Sequence, residues 1–400
     1  MEEYELEQEA IDDFLDNNLK ALREYNSCKL GTQKHKNINE DGIRYKVFGN
    51  CSVIVLCDGH GFSNEYHRGN SNQVVDQVLD SLIDNSSQEA TRDFERRLVS
   101  LGNRPTKNEL KSVLSSTFRT LNDRITEIQN LEFERARQRH SSGIDDLYND
   151  EWTHCGSLGT VMTCILVFRN NDIYVAYRGD SPVFVGYNDG AVKKISMDHN
   201  VYNKNETDEL KREIREPRII ERLGFLAQHC LESDLKGSVP VTRFFGNTIP
   251  KRIRGFKLFR DIVKEDPENY RQIEEYTTMT ELVTVNNQNM NISFMILCSN
   301  GISNWYNFLK KFYECIKNTN TTGTRKDAIV ESLEIQIENF VTQYICNSNT
   351  GDDSTIAFML FTNQHGSFKE AYDNFLRTEF SITPDTEITN HMSNLDWRVI

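Results

Sequence analysis

The sequence predicts an α+β fold in which antiparallel sheets are covered by pairs of amphipathic helices. Three observations carry that expectation. Short apolar runs rich in β-branched and aromatic residues recur along the chain and read as buried strands. Two of them, residues 161–168 and 173–177, are joined only by Arg169-Asn170-Asn171-Asp172, a polar link short enough for a hairpin. Helical periodicity falls in blocks between groups of strands, which argues against a doubly wound parallel sheet.

The first strand is expected at residues 52–57 (SVIVLC). Two helices follow. Val74, Val75, Val78, Leu79, Leu82 and Ile83 share one face of the first, and Leu110, Val113, Leu114, Phe118, Leu121, Ile125 and Ile128 share one face of the second. Strands return at 161–168, 173–177 and 183–187, and again at 294–298 and 356–361. Two late helices are expected over 305–317 and 326–344. Residues 131–154 and 200–218 lack apolar periodicity and read as surface insertions, with 317–324 a loop. Beyond Phe361 the chain is polar apart from Tyr372, Phe375, Leu376 and Phe380, ahead of Pro384. That group suits a terminal helix packed on the body or a helix that docks a partner, and the sequence leaves both open.

Composition narrows the function. Against 46 Lys and Arg stand 60 Asp and Glu, a net charge of −14 that disfavours nucleic acid as a partner. No apolar run is long enough to span a bilayer, so no membrane is expected. The opening Met1-Glu2-Glu3-Tyr4 is acidic and unlike a secretory leader, so a cytoplasmic protein is expected, with the nucleus also open to it. The nine cysteines are scattered with no C-x-x-C pair, which fits free thiols in a reducing compartment.

Polar residues cluster at strand ends. Asp58-Gly59-His60-Gly61 follows one strand, Arg178-Gly179-Asp180-Ser181 another, and Ser299-Asn300-Gly301 a third, while Gly351-Asp352-Asp353-Ser354 precedes the last. Hard divalent cations take oxygen ligands, and carboxylates converging from separate strand ends supply them. Any single Asp-Gly is more often a plain turn, but four such ends in one chain favour a common site.

The order of these motifs resembles the metal-dependent protein phosphatases of type 2C, over residues 28–362. The quoted motifs are Lys36 before Asn39-Glu40-Asp41, Asp58-Gly59-His60-Gly61, Gly156-Ser157-Leu158-Gly159-Thr160, Gly179-Asp180-Ser181, Asp198-His199, Thr242-Arg243-Phe244-Phe245-Gly246-Asn247, Asn300-Gly301 and Asp352-Asp353. The resemblance implies a β-sandwich of antiparallel sheets flanked by helix pairs, holding two Mg²⁺ or Mn²⁺ ions at one end. Residues 1–27 would form a helical N-terminal extension and 363–400 a C-terminal tail. By the same resemblance Asp58 would bridge both metals, with the Gly59 carbonyl, Glu40 and Asp41 on the second and Asp352 on the first. Asp180 matches a ligand of an optional third metal, His60 the general acid, and Lys36 the phosphate-binding position.

Departures from the pattern bear on activity. Asn300 stands where the family has a metal-binding aspartate, Asn304 and Asn247 replace two more, and Lys36 replaces an arginine. An amide oxygen ligates without bringing negative charge, and a lysine lacks the planar two-pronged grip on phosphate. At most two metal sites are therefore expected, the first weakened by Asn300. The acidic residues also have plainer readings: Glu40-Asp41 as a surface pair, Asp180 as a hairpin turn, His199 as structural. Lys251-Arg252-Ile253-Arg254 reads as a solvated face or a dock for an acidic partner.

Two functions remain. One is a pseudophosphatase acting as a regulatory subunit of a protein kinase or phosphoprotein in signalling, as a monomer, similar to the inactive type 2C adaptor of the TGF-β-activated kinase. The other is an active Mn²⁺- or Mg²⁺-dependent serine/threonine phosphatase.

Overall fold

In the computed structural model the described residues are 41–60, 71–83, 89–139, 159–170, 172–200, 203–213, 241–246, 275–286, 292–301, 305–318, 326–348, 355–361 and 368–382. Lys36, Glu40, Asn247, the basic run at 251–254, Asn304, Asp352 and the extension at 1–27 lie outside them.

The first sheet is built from β1 (Asp41–Phe48), β2 (Cys51–His60), β3 (Gly159–Phe168), β4 (Asp172–Arg178) and β8 (Glu281–Asn286) in that spatial order. The short β7 (Phe245–Gly246) pairs with the start of β3. Every neighbouring pair is antiparallel. The second sheet runs β10 (Ile356–Leu360), β9 (Ile292–Cys298), β5 (Val183–Tyr187), β6 (Ala191–Lys194) and β11 (Ser381–Ile382). The expected hairpin is present, with β3 ending at Phe168 and β4 beginning at Asp172.

Alternation along these strands sorts side chains into three apolar layers. Ile54, Leu56, Ile165, Val175, Met295, Leu297 and Met359 meet between the sheets. The opposite faces of β2 and β3, through Val53, Val55, Cys164 and Leu166, pack under three helices: α1 (Ser71–Ile83), α2 (Glu89–Ser100) and α3 (Lys107–Arg139). The outer face of the second sheet, through Phe294, Ile296 and Phe358, packs under α5 (Trp305–Lys317), α6 (Lys326–Ser348) and α7 (Phe368–Arg377). The α+β sandwich with helices on both outer faces is the expected fold. Burying one such side chain stabilises by roughly 1.5–3 kcal/mol.

Local chemistry explains the helix limits. Thr106 and Glu109 form a reciprocal cap at the start of α3, with the Thr106 N–H donating to Glu109 Oε2 at 2.9 Å. The buried stripe of α3 ends by Leu131, which is 52% exposed, yet the helix continues to Arg139. The expected insertion at 131–154 is therefore helical in its first nine residues, because good helix formers extend a helix that packing has already nucleated.

The expected insertion at 200–218 is corrected more strongly. It contains α4 (Lys204–Glu213), whose Glu206 is fully buried against Arg243. Glu206 and Thr207 on that buried face are polar and Leu210 is its apolar member among the described side chains, so apolar periodicity cannot reveal it. The segment beyond 362 also reaches into the sandwich. Tyr372 and Phe375 are buried in the second helical layer, and the Phe375 ring lies 5.4 Å from that of Phe294. Ser381 N–H then donates to the Gly190 carbonyl at 2.7 Å, and β11 pairs in parallel with β6. Gly190 takes φ 89°, and a side chain there would collide with the Glu379 carbonyl, so the turn requires glycine. Of the two readings left open for the aromatic group, the structure has the packed helix.

Candidate active site

The sheet registers bring the strand-end motifs together. Asp41 opens β1 and lies opposite Asp58 near the end of β2, while His60 lies opposite Gly159 at the start of β3. The Thr160 hydroxyl donates to the Asp58 carbonyl at 2.9 Å and fixes this strand end. β9 arrives from the second sheet, and the Asn300 backbone N–H donates to Asp58 Oδ2 at 2.9 Å. Ser299 is pinned to Thr355 by two hydrogen bonds of 2.9 and 2.8 Å, so β10 begins at the same end.

The β4 turn completes the cluster. Gly179 takes φ 111°, and any Cβ there would run into Val161, so the sharp turn depends on glycine. Three hydrogen bonds clamp this turn to residues 199–200. His199 N–H donates to the Gly179 carbonyl at 3.0 Å, Gly179 N–H donates to His199 Nδ1 at 3.2 Å, and Asn200 Nδ2 donates to Asp180 Oδ2 at 3.2 Å. His199 is fully buried and stacks on Tyr177 at 5.0 Å, a structural role. Burial, reinforced by Arg243 and Arg178, holds its pKa well below the ordinary value and keeps the ring neutral.

Burial raises the Asp180 pKa to about 6, with Asp198 adding repulsion and the Asn200 and Asn300 amides and Lys194 opposing. Asn300 thus bears on both acids: its backbone N–H bonds Asp58 Oδ2, and its side-chain amide helps to hold the Asp180 pKa down against burial. His60 is partly exposed, its ring edge-on to Phe244 at 5.8 Å.

Behind the turn lies a second polar cluster that the sequence does not announce. Arg243 is fully buried and pairs with Glu206 at 2.7 Å, Glu209 at 2.8 Å and Glu281 at 3.1 Å. Those carboxylates hold its pKa above the ordinary value despite burial. Thr242 N–H donates to the His199 carbonyl at 2.8 Å and so ties this cluster to the Gly179 turn. Arg178 is also buried, its guanidinium 4.0 Å from the Phe245 ring centre and its Nη2 bonded to Thr280 Oγ1 at 3.0 Å.

A family model described as protein phosphatase 2C matches residues 64–333, about two thirds of the 400-residue chain. The chain belongs to the protein phosphatase 2C family. Asp180, Arg243 and Asn300 lie inside the match, while Asp41, Asp58 and His60 precede it. Among solved structures, a bacterial serine phosphatase is 15% identical over 86% of this chain and 98% of its own, with a TM-score of 0.43. A C. elegans sex determining protein is 15% identical over 94% of this chain and 74% of its own, with a TM-score of 0.46. A Mycobacterium tuberculosis serine/threonine phosphatase is 15% identical over 86% of this chain and 100% of its own, with a TM-score of 0.41. No curated protein matches the chain. The family assignment rests on the sequence match and not on these distant structural likenesses.

Phosphatases of the 2C family depend in general on Mg²⁺ or Mn²⁺. Among the described residues no three His, Cys, Asp or Glu side chains converge on one point. Asp41 and Asp58 share a register position, Asp180 sits across Asn300 from Asp58, and Glu40 and Asp352 lie outside the described residues. The described residues therefore bring two acids, Asp41 and Asp58, to one position without by themselves assembling three such ligands on one ion. Among the described residues no helix is long and apolar enough to cross a membrane. Cys51, Cys57, Cys164, Cys298 and Cys315 are free thiols, and burial pushes Cys51 up to about 12.

Proposed function

We infer that this 2C-family domain has a degenerate metal centre and acts as a regulatory subunit that binds a protein kinase or phosphoprotein. One observation carries the reading. Asn300 brings an amide to the point between Asp58 and Asp180, where a carboxylate would join them in holding a cation. An amide contributes no charge to balance a divalent ion, and its backbone N–H already occupies Asp58 Oδ2. Asp41, Asp58 and the Gly59 carbonyl, with Glu40, would hold one ion, and Asn300 with Asp352 would hold the other weakly. When bound, such a pair lowers the pKa of a shared water and neutralises charge on the transferring phosphoryl group.

The alternative is an active Mn²⁺- or Mg²⁺-dependent serine/threonine phosphatase, favoured by the position of His60 two residues beyond Asp58 at the same strand end. There His60 would donate a proton to the leaving oxygen of the substrate. The discriminating experiment is Mn²⁺ calorimetry with hydrolysis of a phosphothreonine peptide, on wild type and Asn300→Asp. The degenerate reading expects weak Mn²⁺ binding and negligible turnover in wild type, with both rising in the variant. Wild-type turnover equal to that of the variant would decide for the active enzyme.

A further inference from the structure

We propose that Phe244 is a positioning residue for His60, its ring holding the imidazole in the place from which a proton reaches the leaving oxygen. The use made of His60 rests on the phosphatase chemistry that both readings above expect of Asn300→Asp. The placement of the ring rests on geometry alone. His60 lies opposite Gly159 on β3, and Gly159 in turn lies opposite Gly246 on β7. Neither glycine has a side chain to set against the imidazole. Extending the β7 register one residue back from Phe245 brings Phe244 to Val161, and these two cluster with Val241. Val161 lies opposite Asp58, two residues before His60. Phe244 is 6% exposed, and its ring meets the imidazole edge-on, at 5.8 Å between centres and 83° between planes.

The ring can act as a stop because the segment that carries it is tied at every residue. Thr242 N–H donates to the His199 carbonyl at 2.8 Å, and Arg243 is held by three carboxylates. Phe244 N–H donates to the Thr277 carbonyl at 3.0 Å. The Phe245 ring faces the Arg178 guanidinium at 4.0 Å and the Phe118 ring at 6.0 Å. Gly246 N–H donates to Asn122 Oδ1 at 3.4 Å. A side chain at position 244 therefore has a fixed origin, and its ring bounds the directions open to His60. In phosphate ester hydrolysis the oxygen of water bonds to phosphorus as the P–O bond to the substrate side chain breaks. The electron pair leaves on that side-chain oxygen, and a ring N–H of His60 gives it a proton. Misplacing such a donor by about 1 Å costs on the order of 10²-fold in rate, so what holds the imidazole bears on turnover.

The test compares Phe244→Leu and Phe244→Tyr in the Asn300→Asp background with Mn²⁺, on a phosphothreonine peptide and on 4-nitrophenyl phosphate. Nitrophenolate departs as a stable anion without a proton donor, so loss of positioning should spare it. Phe244→Leu should lower kcat on the peptide by about tenfold with KM unchanged, and leave nitrophenyl phosphate turnover as in the parent. Phe244→Tyr keeps the ring and should match the parent on both. After His60→Gln, Phe244→Leu should cost nothing further on the peptide. Equal losses on both substrates, or additive losses with His60→Gln, would overturn the proposal. Three-bond side-chain couplings of His60 in the metal-free wild type give a readout that needs no turnover. They should report one χ1 rotamer there and averaging in Phe244→Leu. Averaging already in wild type, or one rotamer in both, would overturn the proposal. Should Asn300→Asp prove inert, the site readings fail, and a rotamer lost in Phe244→Leu still upholds the positioning. If Phe244→Leu fails to fold by circular dichroism, Phe244→Met takes its place with the same expectations.

Discussion

Two polar clusters face each other across the Gly179 turn, and they balance charge in opposite ways. Around Arg243 one buried cation meets three carboxylates at 2.7, 2.8 and 3.1 Å, so the charge is fully partnered from within. Around Asp58 and Asp180 neutral donors meet the acids: the Asn300 backbone N–H on Asp58 and the Asn200 side-chain amide on Asp180. The first is a structural clamp that joins α4, the residues just before β7, and β8. The second holds its acids mainly against neutral donors. The contrast shows that neighbouring acids can be held either by a cation from the chain itself or by neutral donors, and that only the second arrangement leaves charge for an ion to neutralise.

The sharpest way to break the comparison is Arg243→Met. It leaves three carboxylates without their cation and should destabilise by about 3–5 kcal/mol, seen as a large fall in melting temperature at neutral pH. A fall no larger than that of an exposed substitution would mean that the cluster is not a clamp.

Next in size is Asn300→Asp measured in chelator. Adding a carboxylate between Asp58 and Asp180 should cost about 1–3 kcal/mol without metal, and Mn²⁺ should restore the loss. Urea titrations with and without Mn²⁺ check both halves. Equal stability in the two conditions would contradict the account of the second cluster.

The pH dependence concerns the link between the clusters. His199 is held neutral in the folded chain, with a pKa below the ordinary value of about 6.5 that applies on unfolding. Below that value the unfolded chain binds a proton that the folded chain refuses. Stability is therefore intact above about pH 6.5 and lost progressively as pH falls toward the lower folded pKa. His199→Gln should melt lower at neutral pH yet lose less between pH 7 and 5, by differential scanning calorimetry. A slope identical to wild type would count against the buried neutral ring.

The smallest effect is expected for Glu281→Gln, about 1 kcal/mol or less, because Glu281 is 30% exposed and two other carboxylates remain on Arg243. Double-mutant cycles with Arg243 measure it directly.

Much of the site is legible in the sequence because glycine and carboxylates at strand ends are local signals. The Asp58-Gly59-His60 and Gly179-Asp180-Ser181 motifs mark their own positions, and the register of β1 on β2 then places Asp41 opposite Asp58. Six of the described strands (β2, β3, β4, β5, β9 and β10) and four of the helices follow from apolar runs and periodicity, since burial imposes such patterns on any chain, whereas β1, β6, β7, β8 and β11 are not expected from the sequence. What escaped are the features whose partners are distant and polar. Glu206 and Arg243 are 37 residues apart, and nothing in either neighbourhood announces the pair. α2 escapes for a related reason, since among its described side chains the buried apolar ones are Phe94 and Leu98, set among charged residues. The aromatic group at Tyr372 and Phe375 looks the same in sequence whether it packs or docks, and only the surface that meets it decides. By itself the sequence determined the apolar central strands, the site motifs and the amide at position 300, because these are properties of single residues and their near neighbours. The tertiary structure alone decided which charges are neutralised internally, because pairing energy depends on distance and burial between elements far apart in the chain.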